Sequence, residues 1–326
     1  MGKRTRRGRP INGWLVIDKP SAMTSAHVVG VVKRVVNAQK AGHGGTLDPL
    51  ATGILPIALG EATKTVSYVM AAEKKYRFTA CFGEARDTDD SEGKSTARSG
   101  IRPDNEQIKN ALPSFCGNIA QRPPDYAAVK VNGERAYDLA RRGETVQLEE
   151  RQVRVDSFDM IERIDADRAI FEVTCGKGAY IRSLARDLGE NLGCFAHVCD
   201  LRRLQVGPFT TESSITLDGL RESIQNEIFP QVLVSVATGL ADIPALAVTD
   251  SQAKRLCSGQ RVRVSPGPHT RETDDPSTVK VLHNGELVAL ASLEHGELSP
   301  LRVFNPKVAR PTDYRSKKID VDHPRP

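Results

Sequence analysis

Residues 74–82 alternate strictly between two kinds of side chain. Aromatic and apolar residues occupy the even positions from 76 to 82, and mostly polar residues occupy the odd positions between them. A period of two predicts a β-strand with one face against a core. Residues 152–161 and 169–175 are also strand-like and flank a turn at 165–167, which predicts an antiparallel pair.

Helical signals lie between these strands without a regular strand–helix repeat. Thr24 and Ser25 are good N-caps for a helix over 24–37, and apolar residues recur at helical spacing after Ile181. This mixture predicts an α+β fold, in which helices flank a mixed, largely antiparallel sheet.

The character of the chain changes after residue 242. A short helix is predicted over 250–258, and a hairpin is predicted where two apolar runs flank Asn284 and Gly285, because Asn-Gly is the strongest short hairpin signal. We therefore expect a small β-rich module at 243–310.

Charge divides the chain further. The 326 residues carry a net charge of +5, and five cations fall within the first ten residues, so the remainder is neutral. The expected organisation is a flexible basic arm at 1–10, a main domain at 11–242, the β-rich module, and a polar tail at 311–326. A uniformly basic, histone-like protein is excluded.

Neither a membrane span nor a bound metal is expected. No apolar run reaches the length of about 18 residues that crosses a bilayer, and the run at 14–17 is too short for a signal peptide. We therefore expect a cytoplasmic protein. The six cysteines form no C-x-x-C pair. Cys194 and Cys199 bracket His197 without a fourth ligand, so buried, reduced thiols are expected.

The densest group of unusual residues is the glycine-rich segment 42–53. It contains four glycines and presents Asp48 immediately before Pro49. Glycines allow the backbone to approach a ligand closely, and a following proline favours extended or turn geometry at the aspartate. Two interpretations remain open: Asp48 begins a turn and caps the next element, or it is a functional carboxylate. The spacing of a phosphate-binding P-loop is absent.

A second candidate, residues 87–93, is rich in aspartate. It fails as a calcium loop, because glycine stands at its seventh position instead of the sixth and Arg98 stands where a bidentate glutamate is required. We expect a solvated acidic loop, in which one aspartate could orient an active-site cation.

A third candidate, residues 177–182, lies at a predicted strand-to-helix junction. Lys177 and Arg182 could attract an anion to the start of the helix. An ordinary glycine connection with Tyr180 in the core is equally consistent with the pattern. Tyr76 has the same ambiguity between core packing and base stacking.

Six motifs together resemble the bacterial TruB family of tRNA pseudouridine-55 synthases, over roughly residues 11–220. They are LVIDKPSAMTS at 15–25, GHGGTLDPLATGILPIALGEATK at 42–64, KKYRFTACFGEARDTDDSEG at 74–93, RPPDYAAVKVNGERAYDLARRGE at 122–144, CGKGAYIRSLARDLGENLGCFAHVCDLRR at 175–203 and VGPF at 206–209.

The resemblance implies a cofactor-free isomerase on a pseudouridine-synthase core, with a PUA-like RNA-binding module after it. Its reaction would convert the T-loop uridine 55 of tRNA to pseudouridine. The expected partner is the T-stem-loop of tRNA, the expected oligomeric state is a monomer, and an accompanying role in tRNA folding is a further expectation.

The resemblance also assigns roles to individual residues. Asp48 matches the essential aspartate, whose attack on the ribose or on the base is left open. Tyr76 matches the aromatic that stacks beside the flipped uracil, and Arg182 matches the arginine that pairs with the aspartate. Substrate binding is expected for His43, Tyr76, Tyr180, Leu201 and Arg182, and supporting roles for Lys19, Lys64, Asp90 and Lys130.

Two alternatives compete with this assignment. A protein that only binds or folds RNA would bind tRNA tightly without making pseudouridine. A metal-dependent hydrolase would use the acidic residues at 87–92 and would lose its activity in excess chelator.

Overall fold

The structure, a computed structural model of the chain, describes residues 8–131, 133–144, 148–264 and 277–305. Its helices are α1 (Ser25–Val35), α2 (Val66–Ala71), α3 (Asn105–Ala111), α4 (Ala136–Arg141), α5 (Ile181–Asn191), α6 (Leu217–Gln225), α7 (Phe229–Val232) and α8 (Asp250–Cys257). Its strands are β1 (Gly13–Lys19), β2 (Ala41–His43), β3 (Thr52–Leu59), β4 (Lys74–Phe82), β5 (Glu84–Arg86), β6 (Ser95–Arg98), β7 (Gly117–Gln121), β8 (Lys130–Val131), β9 (Glu134–Arg135), β10 (Arg151–Arg163), β11 (Arg168–Cys175), β12 (Ala196–Val206), β13 (Phe209–Thr210), β14 (Ala245–Ala247), β15 (Val262–Arg263), β16 (Ser277–His283), β17 (Glu286–Glu294) and β18 (Glu297–Val303).

One sheet organises the larger part of the chain. Its strand order is β1-β3-β12-β4-β11-β10-β7, with β2 paired to β3 and β13 paired to β12. The β3–β12 pair is parallel, and the other pairs in this sheet are antiparallel. The predicted α+β class with a mixed, largely antiparallel sheet is confirmed.

Strands β1 and β3 are buried on both faces. Within β1, Leu15 and Ile17 join the main core, whereas Trp14 and Val16 join a second cluster on the opposite face. The ring of Trp14 packs at a centroid distance of 5.3 Å from that of Phe209. A strand covered on both faces has a continuous apolar sequence, which explains the runs at 14–17 and 54–59.

Several predicted elements are confirmed and others need correction. The strands predicted at 74–82, 152–161 and 169–175 are β4, β10 and β11. The sequence also predicts a helix over 61–70, but in the structure it is interrupted at Thr65 and consists of a 3-10 turn followed by α2. The segment 83–104 is polar and rich in turn-forming residues, yet it contains the hairpin β5–β6.

The C-terminal module contains a separate five-stranded sheet, ordered β14-β16-β17-β18-β15. The predicted hairpin is β16–β17, and Asn284 and Gly285 both take the positive φ that a tight turn requires. Leu256, Val281 and Leu298 belong to the module's own core. Phe304 instead packs with Leu240 in a cluster shared with the main domain.

Within the arm expected at 1–10, the backbone of Arg9 pairs with the fold. Arg9 donates its backbone N–H to the carbonyl of Asn37 (2.6 Å), and its own carbonyl accepts from Gln39 (3.0 Å). Residues 1–7 and the predicted tail at 311–326 lie outside the described residues. Among the described residues, no helix is long and apolar enough to cross a membrane.

Gly53 occupies a position that only glycine fits. Its φ is +97°, and an added Cβ would clash with the backbone of Arg203 across the parallel β3–β12 pair. We expect Gly53→Ala to lower the free energy of unfolding by about 2 to 4 kcal/mol, measured by denaturant titration. Gly42→Ala is the matched control, because a Cβ there meets no heavy atom within 4 Å. Equal stability of the two variants would contradict this prediction.

Candidate active site

The segment 42–53 begins within β2 and ends within β3. A buried arginine holds its backbone in place. Arg203, on the neighbouring strand β12, is 1% exposed. Its guanidinium donates to the carbonyls of Gly45 (3.0 Å), Thr46 (3.2 Å) and Ile54 (2.7 Å). Because a buried guanidinium must satisfy its donors, these bonds fix the path of the segment.

A buried lysine holds the other side of Asp48. Lys19, 0% exposed, donates its ammonium to the carbonyls of Pro20 (2.9 Å), Met23 (2.7 Å) and Pro49 (3.0 Å). Burial lowers the pKa of Lys19 to about 8, and the negative charge of Asp48 opposes this shift.

Two serines complete the support of the segment. Ser25 Oγ accepts from the N–H of Leu47 (2.8 Å) and donates to its carbonyl (3.0 Å). Ser21 Oγ donates to the carbonyl of Leu50 (3.1 Å). Backbone groups on both sides of Asp48 are thus fixed, and its carboxylate projects from a rigid segment.

The carboxylate of Asp48 meets the guanidinium of Arg182. Oδ2 of Asp48 lies 3.0 Å from Nε of Arg182, and the Asp48 side chain is 34% exposed whereas that of Arg182 is 4% exposed. The Nε–H is not aligned for a hydrogen bond, so we describe the contact as an ion pair. Asp48 therefore remains open to solvent while a buried cation orients it.

Arg182 is itself anchored on three sides. Its terminal nitrogens donate to the carbonyls of Thr88 (2.9 Å) and Tyr126 (3.2 Å). Its Nε also faces the buried carboxylate of Asp90 at 3.6 Å. One turn along α5, Arg186 pairs with Asp89 at 2.9 Å. Helix α5 therefore directs two buried cations towards the aspartate-rich segment 87–93.

The aspartates of that segment bind protein groups. Asp87 accepts from the N–H of Lys94 (2.7 Å), and Asp90 accepts from Thr88 Oγ1 (2.6 Å) and the N–H of Glu92 (3.1 Å). The expectation of a solvated loop is wrong for Asp89 and Asp90, which are buried. One aspartate of this segment, Asp90, faces the guanidinium of Arg182, the cation that the resemblance pairs with Asp48.

Tyr76 lies on β4 beside this site and is partly buried. The guanidinium of Arg203 lies 6.0 Å from the centroid of its ring. Burial raises the pKa of the Tyr76 phenol against the opposing charge of Arg203, so the ring is neutral at physiological pH.

His43 and Tyr180 have distinct surroundings. Nδ1 of His43 is buried without a hydrogen-bond partner, and burial and then Arg203 lower the pKa of the imidazole. Tyr180 caps α5. Its backbone N–H donates to the side chain of Gln121 (2.8 Å), and the Arg151 guanidinium lies 4.8 Å from its ring centroid.

The remaining sequence candidates are dispersed. Leu201 is 4% exposed and packs in the main core. Lys64 lies against the C-terminal module, where its ammonium bonds the carbonyl of Val303 (2.8 Å) and the carboxylate of Glu61 (2.6 Å). It therefore does not join the Asp48 group. The side chain of Lys130 lies outside the described residues.

The cysteines differ from the sequence expectation. Cys81 on β4 and Cys199 on β12 have Cα atoms 6.0 Å apart, and the structure joins their sulfur atoms as a disulfide. In this structure the pair therefore departs from the expectation of reduced thiols. Cys175 and Cys194 are buried free cysteines, whereas Cys116 is partly buried and Cys257 is exposed.

Comparison with known proteins shows the family. Residues 33–181 match the family model "TruB family pseudouridylate synthase (N terminal domain)", and residues 182–236 match "tRNA pseudouridylate synthase B C-terminal domain". The tRNA pseudouridine synthase B of Bradyrhizobium diazoefficiens is 51% identical over 313 residues, which cover 93% of this chain and 89% of the relative.

This chain belongs to the TruB family. A second relative, the tRNA pseudouridine synthase B of Gluconacetobacter diazotrophicus, is 52% identical over 92% of this chain and 100% of its own length. The crystal structure of a Cbf5-Nop10-Gar1 complex contains a similar chain, with a TM-score of 0.71, 27% identity and coverage of 94% and 92%. The TruB-family chain is therefore an enzyme of an isomerase family, with a pseudouridine-synthase fold.

The buried pair of Asp89 and Arg186 predicts a pH dependence of stability. Burial raises the pKa of Asp89 from 3.8 to about 6, and the Arg186 charge opposes this shift. Between these values the folded state binds more protons than the unfolded state, so stability must fall as pH rises. We expect the wild type to lose stability relative to Asp89→Asn between pH 4 and 6, with a constant difference from pH 6.5 to 7.5.

Urea titrations of both proteins at each pH measure this difference. Asparagine tolerates the φ of +58° at this position, so the variant changes charge with little backbone strain. A wild type that gains stability relative to the variant over this pH range would show that the ion pair outweighs burial.

Proposed function

We propose that this protein isomerises the T-loop uridine 55 of tRNA to pseudouridine, with Asp48 as the nucleophile. The observation that carries the proposal is the geometry of Asp48. It is an accessible carboxylate on a backbone fixed from both sides, and it lies 3.0 Å from a buried guanidinium. Membership of a tRNA pseudouridine synthase family supports the substrate class.

The proposed reaction breaks the glycosidic bond between the ribose and N1 of the base, turns the base and joins its carbon 5 to the ribose. Carbon 5 loses its proton and N1 gains one, so the product is an isomer of the uridine. An activated carboxylate can split this exchange into easier steps through a covalent intermediate. Arg182 orients the carboxylate, and the fixed backbone holds it in place, which lowers the entropic cost of attack.

Recognition of the uridine requires the base to leave its stack. Flipping a nucleotide costs a few kcal/mol, and stacking on an aromatic ring offsets part of this cost. Tyr76 is the proposed ring, because it lies beside the Asp48 group as a neutral phenol. His43 contributes a buried nitrogen that has no protein partner, which suits a hydrogen bond to the RNA.

The wider assignments belong to the same proposal. We assign residues 11–242 to catalysis and residues 243–310 to a PUA-like module that contacts tRNA. Lys64 and Glu61 connect the two regions through Val303 and Asn305, so we assign Lys64 a supporting role at this junction. The protein is proposed to act as a cytoplasmic monomer without a catalytic cofactor.

Asp48→Asn tests the nucleophile. The amide has nearly the same shape but cannot form the ester or adduct, so we expect release of tritium from carbon 5 of the T-loop uridine to fall at least 10⁴-fold, as is typical when an essential nucleophile is lost. The affinity for the stem-loop should change less than about threefold.

Asp218→Asn is the matched control, because Asp218 is an exposed aspartate that also pairs with an arginine, Arg221. Both variants are assayed in single-turnover reactions with labelled T-stem-loop RNA. Normal release of tritium by Asp48→Asn would refute the assignment of the nucleophile.

Deletion of residues 2–7 tests the basic arm. It removes four cations and leaves Arg9, whose backbone pairs with the fold. If all four contact phosphates, the slope of log affinity against log salt should become less steep by about three to four. The modified uridine should be unchanged. A change of target site would show instead that the arm reads RNA sequence or shape.

A further inference from the structure

A cluster of metal-ligating side chains lies outside the Asp48 site. Both Sγ atoms of Cys81 and Cys199 and a ring nitrogen of His197 lie within 4.8 Å of one another. Among the described residues, no other group of three or more histidine, cysteine or carboxylate side chains is compact enough to hold an ion. The acidic segment 87–93 forms no such cluster.

Strand register explains how the three residues meet. His197 on β12 is the direct partner of Cys81 on β4. The register shifts between Val198 and Asp200, so Cys199 is the extra residue of a β-bulge. A bulge can redirect a side chain out of the normal alternation, and here it accompanies the approach of Cys199 to Cys81.

The histidine has the hydrogen bonding of a metal ligand. Its Nδ1 lies 2.9 Å from the carbonyl of Glu84. A carbonyl can only accept, so Nδ1 carries the proton and the lone pair resides on Nε2. Histidines that bind metals are commonly fixed in this way by a backbone carbonyl. His197 is 5% exposed, so its ring is held in a buried environment.

We propose that Cys81, Cys199 and His197, with the two cysteines reduced, bind one Zn²⁺ ion. A mixed sulfur and nitrogen donor set suits zinc, and three protein ligands leave a fourth position for water. A thiol reductant supplies two electrons and two protons to open the disulfide. Metal binding then releases both thiol protons, so the two thiolates balance the charge of the ion.

The proposed site is separate from the Asp48 site. Glu84 begins the segment that continues to Asp89 and Asp90, and Asp90 also forms a β-bridge with Val198. An ion bound to His197 and Cys199 would connect β4, β12 and this segment. We therefore expect metal binding to raise the melting temperature by several degrees.

Zinc binding is measured on the full-length protein, reduced with a phosphine and kept under anaerobic conditions. After incubation with Zn²⁺ and desalting, elemental analysis should find one zinc per chain. Competition with a chromophoric chelator should show affinity reduced at least about tenfold in Cys199→Ser and His197→Gln. Cys257→Ser, which removes an exposed cysteine elsewhere, should bind zinc as the wild type does.

Cobalt substitution gives a second measurement that needs no variant. Co²⁺ added to the reduced wild type should produce thiolate charge-transfer absorption and the visible bands of a tetrahedral ion. Zinc that is lost on desalting, or that binds equally well to Cys199→Ser and His197→Gln, would overturn the proposal. A cobalt spectrum without thiolate bands would overturn it as well.

Discussion

Two fully buried cations hold the backbone that carries Asp48, and the geometry of the site depends on them. Arg203 donates to carbonyls before and after the aspartate, and Lys19 donates to the carbonyl of Pro49 immediately after it. Removing one partner from a buried charged network typically costs about 3 to 5 kcal/mol. Among the described residues, neither cation has a carboxylate as a hydrogen-bond partner. The hydrogen bonds to backbone carbonyls therefore provide the main compensation for burying each charge.

This arrangement divides the tasks of the site between separate groups. Arg203 and Lys19 determine where the segment runs, whereas Arg182 determines how the carboxylate is oriented. Helix α5 supplies Arg182 and Arg186 on one face, and the segment from Thr88 to Asp90 receives both. A conformationally restricted nucleophile is expected to react faster than a mobile one, because the entropic cost is met during folding.

Local patterns in the sequence predict much of this fold. The alternation over 74–82 identifies β4, and Asn284-Gly285 identifies the hairpin β16–β17. Strand β12 is not apparent, because its charged residues conceal the period of two, although it lies next to β4 at the centre of the sheet. Without this strand, Arg202 and Arg203 resemble a solvated basic pair.

If the strand is recognised, the two arginines can be assigned to different environments, because successive residues of a strand point to opposite faces of the sheet. Arg202 pairs with Asp18 near the surface, whereas Arg203 is buried. The spacing of Arg182 and Arg186 likewise indicates one helical face, but burial of that face depends on tertiary packing. The approach of Cys81 to Cys199 spans 118 residues, and no local pattern encodes it.

Pseudouridine mapping of total tRNA tests the central claim most directly. Total tRNA from cells that lack this activity is mapped at single-nucleotide resolution before and after incubation with the purified protein. The account predicts new pseudouridine at position 55 of the T loop and at no other tRNA position. Unmodified uridine 55 in tRNA that the protein binds tightly, or modification confined to another position, would contradict it.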